Sequence, residues 1–165
     1  MSINLSYVQI LKSPLMMELK QMIDHSGISC SGIIVELTES GYLEGTPAVR
    51  SVWNDMKQLR IQIALDDFGT GYSNLMNISN LEPDIVKLDR GFTLKALSRS
   101  YEYQLMQYVI EMVHKLNQYV CVEGVETKED LEKIKALGPD LIQGYYYSKP
   151  CSRNEFLKKF FCYSE

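Results

Sequence analysis

Two adjacent aspartates, Asp66 and Asp67, follow a short apolar segment and stand directly before a glycine-rich loop. The apolar segment, residues 61–65, is typical of a buried strand because turn residues bound it. Two carboxylates at one strand end are costly to place together unless a positive charge neutralises them. Gly69 and Gly71 let the backbone bend sharply and approach a ligand. The pattern indicates a metal site at a strand end, although a strand followed by an Asp-rich turn explains it equally well.

Polar groups also end the other strands that the sequence predicts. Apolar runs predict six strands, at residues 3–5, 32–37, 63–67, 84–88, 119–122 and 141–143. Their ends carry Asn4, Glu36, Asp66 with Asp67, Lys87 with Asp89, Glu123 with Glu126, and Gln143. One polar strand end means little, but a polar group at every predicted strand end is hard to ascribe to turns.

Helices or helical segments follow the predicted strands. The clearest cover residues 13–25, 46–59, 98–117, 128–137 and a terminal stretch through residue 161. Ser13 and Ser152 are predicted N-caps, and Gly27 follows the end of the first of these helices. Along the longest helix, the apolar face is predicted to contain Leu105, Val109, Met112, Val113 and Leu116. This alternation of strands and helices implies a parallel sheet with right-handed crossovers.

A doubly wound open sheet and a (β/α) barrel both fit the alternation. An open sheet gathers its ligand groups mainly at one switch point in the strand order. A barrel instead collects ligand groups from all of its strands at the carboxyl face. Because all six predicted strands end in polar groups, we predict the barrel type of α/β fold.

Length and charge limit the classes of partner. A chain of 165 residues is expected to form a single domain. Its formal net charge of −4 offers no basic surface to DNA, so we expect no DNA partner. No stretch approaches the ~20 apolar residues that a membrane span requires, so we expect no membrane span. An acidic site can still bind phosphates through bridging divalent cations.

Cysteine and histidine usage argues against zinc and disulfides. The four cysteines have no CxxC spacing, and the amino-terminal residues lack the pattern of a signal peptide. We therefore predict reduced cysteines and a cytoplasmic location. His25 and His114 are isolated and more typical of helix surfaces than of ligand sets. Acid–base chemistry must then rest on carboxylates and lysine.

Six short sequence blocks occur in a characteristic order. They are NLS at 4–6, VELTES at 35–40, LDDFGTGYSNL at 65–75, VKLD at 86–89, VEGVET at 122–127 and QGYYYSKP at 143–150. Together they resemble the signature of EAL domains, a bacterial signalling family, over almost the whole chain. The resemblance implies a (β/α)8 barrel that hydrolyses cyclic di-GMP to linear pGpG with two divalent cations, magnesium or manganese.

The resemblance also implies roles for individual residues. The implied metal-binding residues are Asn4, Glu36, Asp66, Asp67, Glu123 and Gln143, with Asp66 bridging both cations. The implied catalytic residues are Lys87 beside the attacking water, Glu123, and Glu126 in the network of metal and water. Glu39 resembles the anchor of the loop at residues 68–73, and Tyr145 is positioned to stack on a guanine.

Ordinary structural roles remain open for several of these residues. A lysine such as Lys87 can pack its stem and extend its ammonium into solvent. Glu39 can be a simple loop or helix-start carboxylate. The three tyrosines at 145–147 can pack against the rim of the fold without touching a ligand.

The chain departs from the family pattern at its amino-terminal side. It contains no Glu-Ala-Leu sequence, and six strands are predicted where a family barrel has eight. The resemblance therefore implies that two strands before Asn4 are lacking, together with one metal-binding glutamate and an arginine for the substrate phosphate. We expect an open barrel with exposed sheet edges, covered in a homodimer or by a partner segment.

Three functions follow as hypotheses. The first is an EAL-type cyclic di-GMP phosphodiesterase domain in which this chain alone hydrolyses poorly, because one carboxylate ligand is lacking. The second is an inactive module on the same scaffold that binds cyclic di-GMP or a protein partner. The third is another metal-dependent barrel enzyme, which the order of the blocks disfavours.

Overall fold

Six parallel strands form one sheet, and their spatial order follows their order in the chain. The computed structural model describes residues 1–11, 14–38, 47–70, 78–79 and 81–161. Within these residues the strands are β1 Ser2–Asn4, β2 Ile34–Thr38, β3 Gln62–Phe68, β4 Ile85–Leu88, β5 Tyr119–Glu123 and β6 Leu141–Gln143. Each predicted strand is present, and β3 continues through Asp66 and Asp67 as far as Phe68.

Seven α-helices connect or follow the strands in the described residues. They are α1 Tyr7–Leu11, α2 Leu15–Ser26, α3 Pro47–Gln58, α4 Arg90–Ser98, α5 Ser100–Lys115, α6 Lys128–Lys135 and α7 Arg153–Phe160, with a 3₁₀ turn at Cys30–Gly32. Thr127 and Ser152 begin α6 and α7 with reciprocal capping boxes, and Gly27 ends α2 in the left-handed conformation. The predicted cap Ser13 and Thr46, the first residue of the helix predicted over 46–59, lie outside the described residues.

The strand order decides between the two architectures. A doubly wound sheet reverses its strand order at a switch point, whereas β1 to β6 follow one another without a reversal. With right-handed crossovers, such an order places the helices on one face of the sheet. The sheet curls into a half-barrel, which confirms the predicted barrel-type α/β fold with six strands.

The main core lies between the sheet and the helices. Side chains alternate between the two faces of a strand, and the helix-facing set includes Val35, Leu65, Val86 and Val122, all buried. The helices contribute Leu19, Trp53, Met56, Met106, Ile110, Val113 and Ile134 to this core. The opposite, concave face carries a separate small cluster of Ala64, Ile85 and Cys121, with Ile34 packed against it.

The segment after β4 corrects two predictions. The helix predicted over 98–117 is present as α5, whereas α4, a helix that was not predicted, precedes it and ends at an extended Arg99. Asp89 is the N-cap of α4 and accepts from the backbone N–H groups of Gly91 and Phe92. The buried face of α5 consists of Met106, Ile110 and Val113, whereas Leu105 and Leu116 are exposed.

Both sheet edges are unpaired within the described residues. β1 pairs only with β2, and β6 pairs only with β5, so the two outer strands leave their far sides open. Every residue of α7 is exposed, including the large apolar residues Phe156, Leu157 and Phe160. The expected open half-barrel is therefore present.

In the described part of the chain, no helix combines the length and the apolar character needed to cross a bilayer.

Candidate active site

Lys87 lies at the centre of the concave face, on a strand that is buried along its whole length. Its Nζ atom is 2.8 Å from Glu36 Oε2, 3.0 Å from Asp66 Oδ1 and 2.7 Å from Glu123 Oε1. The Lys87 side chain is only 6% exposed. The structure thus excludes a solvated lysine head and brings four of the predicted site residues into one cluster, which we call the Lys87 cluster.

Strand register explains why these four residues meet. Leu65 pairs with Val86, so the next residues, Asp66 and Lys87, are adjacent and point to the same face. Lys87 also pairs with Cys121, and Glu123 lies two residues further along β5 on that face. Four neighbouring strands therefore deliver one charged side chain each to the carboxyl end of the half-barrel.

The Lys87 cluster contains more negative than positive charge. Three carboxylates against one ammonium leave two formal negative charges in excess. Burial alone would lower the pKa of Lys87, but hydrogen bonds to Glu123, Glu36 and Asp66 outweigh it and raise this pKa. Burial raises the pKa of Glu123, and the Asp66 and Glu36 charges add to this rise, while Lys87 opposes it.

Asp67 stands in a strained position next to the Lys87 cluster. Its φ of 61° is uncommon for a non-glycine residue, and the β3–β4 register shifts between Leu65 and Phe68. Its backbone N–H donates to Asp66 Oδ1 over 3.0 Å. Burial, followed by the charges of Asp66 and Asp89, raises the pKa of the Asp67 carboxyl. Because of this bend, the Asp67 carboxylate does not follow the regular alternation of side chains between the two faces of β3.

The loop after β3 requires a glycine at its start. Gly69 has a φ of +105°, and a Cβ there would lie 2.9 Å from the ring of Phe92. Both conditions exclude larger residues without a shift of α4. The rest of this loop, residues 71–77, and its predicted anchor Glu39 lie outside the described residues.

Two amides lie on the edge strands beside the cluster. Asn4 pairs in register with Glu36, and Gln143 pairs in register with Glu123. Both residues are exposed. The structure thus places one amide at each open edge of the row of charged strand ends.

Glu126 and Tyr145 lie on the rim of the site. Glu126 Oε1 accepts from Arg90 Nε at 3.2 Å and from Arg90 Nη2 at 2.8 Å. These hydrogen bonds raise the pKa of Arg90, and the charges of Glu126, Tyr145 and Asp89 act in the same direction. Tyr145 is exposed, with Lys149 Nζ 5.6 Å from the centre of its ring. Neither residue hydrogen-bonds to the Lys87 cluster in the described structure.

Sequence reasoning missed two residues of this region. The Arg90 side chain extends from α4 to the loop after β5, where a Cβ on Gly124 would collide with the aliphatic part of this side chain. Cys121 lies beside Lys87 on the neighbouring strand β5. Burial, followed by the charge of Glu123, raises the pKa of its thiol to about 12. The alternation of side chains along β5 could have identified Cys121, because it lies two residues before Glu123 and faces the same side. No local pattern predicts the contact between Arg90 and Glu126.

A cavity of about 370 Å³ opens on the concave face. Its lining includes Glu36, Lys87 and Gln143 at the carboxyl end and the small cluster around Ala64 below them. A cavity of about 440 Å³ lies at the amino ends of the strands, around Lys57, Glu82 and Asp84, and contains none of the predicted site residues. Cavity volume therefore does not identify the candidate site, whereas the charged residues at the strand ends do.

The donor atoms of the Lys87 cluster suit a hard divalent cation. Carboxylate and amide oxygens are the ligands that magnesium and manganese prefer, and the excess negative charge would be compensated by such an ion. Among the described residues, no three acidic, histidine or cysteine groups are already spaced around one ion position. Here the carboxylates converge on the Lys87 ammonium. The residues fit a cation in chemistry and charge.

Comparisons with known proteins agree on one family. A family model described as the EAL domain matches residues 1–150. The cyclic di-GMP phosphodiesterase PdeF of Escherichia coli is 32% identical over 149 residues, which are 90% of this chain and 20% of PdeF. The chain spans about a fifth of the length of PdeF and of several other curated relatives that it matches.

Solved structures agree with the sequence comparison. The EAL enzyme Bd1971 with bound cAMP and cyclic di-GMP superposes with a TM-score of 0.89 at 32% identity, covering 96% of this chain and 42% of that one. The manganese and cyclic di-GMP complex of Klebsiella pneumoniae BlrP1 gives a TM-score of 0.81 at 26% identity, covering 91% and 38%. The fold and the polar groups at the strand ends agree with these matches. The chain belongs to the EAL domain family of cyclic di-GMP phosphodiesterases.

Proposed function

We propose that the Lys87 cluster is the catalytic centre of a metal-dependent cyclic di-GMP phosphodiesterase that forms linear pGpG. The observation that carries this proposal is the contact of one buried ammonium with carboxylates from three other strands. Relatives named cyclic di-GMP phosphodiesterases, and a relative solved with manganese and cyclic di-GMP, support it. We further propose that residues 1–165 fold as one domain and act in the cytoplasm.

Two divalent cations, magnesium or manganese, would be held at the carboxyl end of the half-barrel. The proposed ligands are Asn4, Glu36, Asp66, Asp67, Glu123 and Gln143. Bound there, the cations would supply Lewis-acid activation of water and of the phosphate oxygens. The bend of β3 at Asp67 supports its role, because it gives this carboxylate a direction of its own.

The protein side chains would then divide the work of hydrolysis. The Lys87 ammonium would stabilise negative charge on the phosphate oxygens as water adds to phosphorus and the bond to the leaving ribose oxygen breaks. The Glu123 carboxylate would accept a proton from the water, and the departing ribose oxygen would gain a proton in turn and leave as a hydroxyl group. Glu126 would complete the water network from the rim, and Tyr145 would stack on a guanine.

A hydrolysis assay tests the proposal. The 165-residue chain is incubated with cyclic di-GMP and either Mg²⁺ or Mn²⁺, and pGpG is quantified by chromatography. We expect slow but metal-dependent turnover, lost in Lys87→Met and kept in Lys95→Met, which removes an exposed lysine of α4. Turnover that survives Lys87→Met would contradict the proposed catalytic centre.

A second candidate function is binding without hydrolysis. The unpaired sheet edges among the described residues favour it. Calorimetry with cyclic di-GMP in the presence of Ca²⁺, beside the assay with Mg²⁺, separates an enzyme from a sensor. Heat of binding without any pGpG would support the sensor, whereas no binding of the nucleotide would leave a protein-binding module.

We also propose that the open half-barrel is covered in the working protein, by a second copy or by a partner segment. The unpaired far sides of β1 and β6 and the exposed aromatic residues of α7 support this proposal. Light scattering of the 165-residue chain tests it. A dimer is expected, and a monodisperse monomer with cooperative melting would contradict it.

A further inference from the structure

Lys87 contacts the same carboxylates that are proposed to bind the metal. Its Nζ atom contacts one carboxylate oxygen of each of Glu36, Asp66 and Glu123, at distances between 2.7 and 3.0 Å. A cation that coordinates these carboxylates must therefore share them with an ammonium group only one hydrogen bond away. Repulsion between two positive charges at such a distance is substantial inside a protein.

Burial and three ion pairs hold Lys87 in the site, where that repulsion acts. β4 is buried along its length, and the Lys87 side chain is 6% exposed. Its strand pairs with β3 on one side and with Cys121 of β5 on the other. The ammonium is thus held among the carboxylates by three short ion pairs, and leaving them would break all three.

We infer that Lys87 is an internal counter-ion that limits the metal affinity of the site. This inference rests on the proposed function, because it concerns the same carboxylates, and it goes beyond the role of Lys87 toward the phosphate. Lys87 neutralises part of the charge that would otherwise hold a divalent ion tightly. Removal of the ammonium therefore strengthens metal binding while it removes catalysis.

The expected change is large enough to measure. A unit charge about 4 Å from another interacts with an energy that corresponds to far more than a tenfold change in binding at an effective dielectric constant near 20. Relaxation and solvent reduce this effect, so we expect Lys87→Met to bind Mn²⁺ about tenfold or more tightly than the wild type.

Calorimetric titration with Mn²⁺ alone tests the inference without reference to hydrolysis. The wild type, Lys87→Met and the surface control Lys95→Met are compared as full 165-residue chains. Tighter binding in Lys87→Met, with Lys95→Met unchanged, supports the inference. Equal or weaker binding in Lys87→Met overturns it and leaves the proposed function intact when the wild type still binds Mn²⁺ and forms pGpG.

A second pair of variants guards against misfolding of Lys87→Met, which leaves three buried carboxylates without their ammonium. Glu36→Gln is compared with Glu36→Gln/Lys87→Met, whose cluster has the same formal charge as the wild type. The double variant is expected to bind Mn²⁺ more tightly than Glu36→Gln, and the reverse order overturns the inference. If none of these proteins binds Mn²⁺, both the inference and the proposed metal site fail.

Discussion

Acidic residues behave differently at the two ends of the sheet. At the amino end, Asp84 precedes β4 and accepts the Ile63 N–H over 2.8 Å, while its own N–H donates to the Ile63 carbonyl. Asp140 precedes β6 and does the same with Val120, at 2.8 Å to the N–H. At the carboxyl end, three carboxylates share one ammonium.

The pKa shifts express this difference. Burial alone would raise the pKa of Asp140, but the hydrogen bond from the Val120 N–H, and then the interaction with His114, lower this pKa. Burial and neighbouring carboxylates raise the pKa of Glu123. At the amino end, Asp84 and Asp140 are each matched to a backbone donor, which stabilises the fold. The carboxyl end keeps excess charge, as expected of a site that receives a charged ligand.

Removal of the shared ammonium should have the largest effect. Lys87→Met is expected to lower the free energy of unfolding by about 3–5 kcal/mol, because buried carboxylates lose their partner. It should also lower any hydrolysis of cyclic di-GMP by a factor on the order of 10² or more. Chemical denaturation and the pGpG assay measure both effects. Unchanged stability would show that the carboxylates do not depend on Lys87.

Loss of an amino-end carboxylate should affect stability alone. Asp84→Ala removes the acceptor of the Ile63 N–H and is expected to cost about 1.5–3 kcal/mol. Asp84→Asn, which keeps an acceptor oxygen, is the matched control and should cost less. Urea denaturation gives the stabilities, and Mn²⁺ affinity of the folded protein should not change. A change in that affinity would mean that the two ends are coupled.

The pH dependence should have opposite signs at the two ends. The folded-state pKa of Asp140 is lowered, so its contribution is present above the unfolded value near 3.8 and is lost as pH falls through the folded pKa. The pKa of Glu123 is raised, so it favours folding below the unfolded value near 4.5 and loses that contribution as pH rises through the folded pKa.

Denaturation of the wild type, Asp140→Asn and Glu123→Gln in EDTA between pH 3 and 7 measures these slopes. The wild type should gain stability relative to Asp140→Asn as pH rises, and lose it relative to Glu123→Gln. Slopes of the same sign would contradict the comparison between the two ends.

The rim should give the smallest effect on the fold. Arg90→Met removes both hydrogen bonds to Glu126, but this pair is exposed, so the melting temperature should barely change. If Glu126 acts from the rim, KM or kcat should change several-fold, with partial rescue by Arg90→Lys. A drop in melting temperature with unchanged kinetics would give the pair a purely structural role.

Strand periodicity predicted that charged residues at the strand ends meet at one end of the sheet. Side chains alternate along a strand, so polar groups at successive strand ends had to share the carboxyl end of the sheet. The cluster of Glu36, Asp66, Lys87 and Glu123 follows from that rule. The individual roles of these residues in binding metal remain predictions.

Local patterns failed where tertiary contacts decide. Asp89 fits a strand end as well as a helix cap, and only the α4 backbone selects the cap. On α5, two apolar stripes have helical spacing, and packing against the sheet selects Met106 and Ile110 over Leu105. The contact between Arg90 and Glu126 joins residues 36 positions apart, which no local spacing encodes.

The most direct test of the Lys87 cluster is anomalous diffraction from crystals of the chain grown with Mn²⁺ and cyclic di-GMP. We expect manganese within about 2.0–2.3 Å of oxygens of Asp66 and Glu123, the range of hard-cation ligation. Manganese bound only elsewhere, for example beside Glu82 and Asp84 at the amino end, would contradict the assignment of the carboxyl end as the catalytic centre.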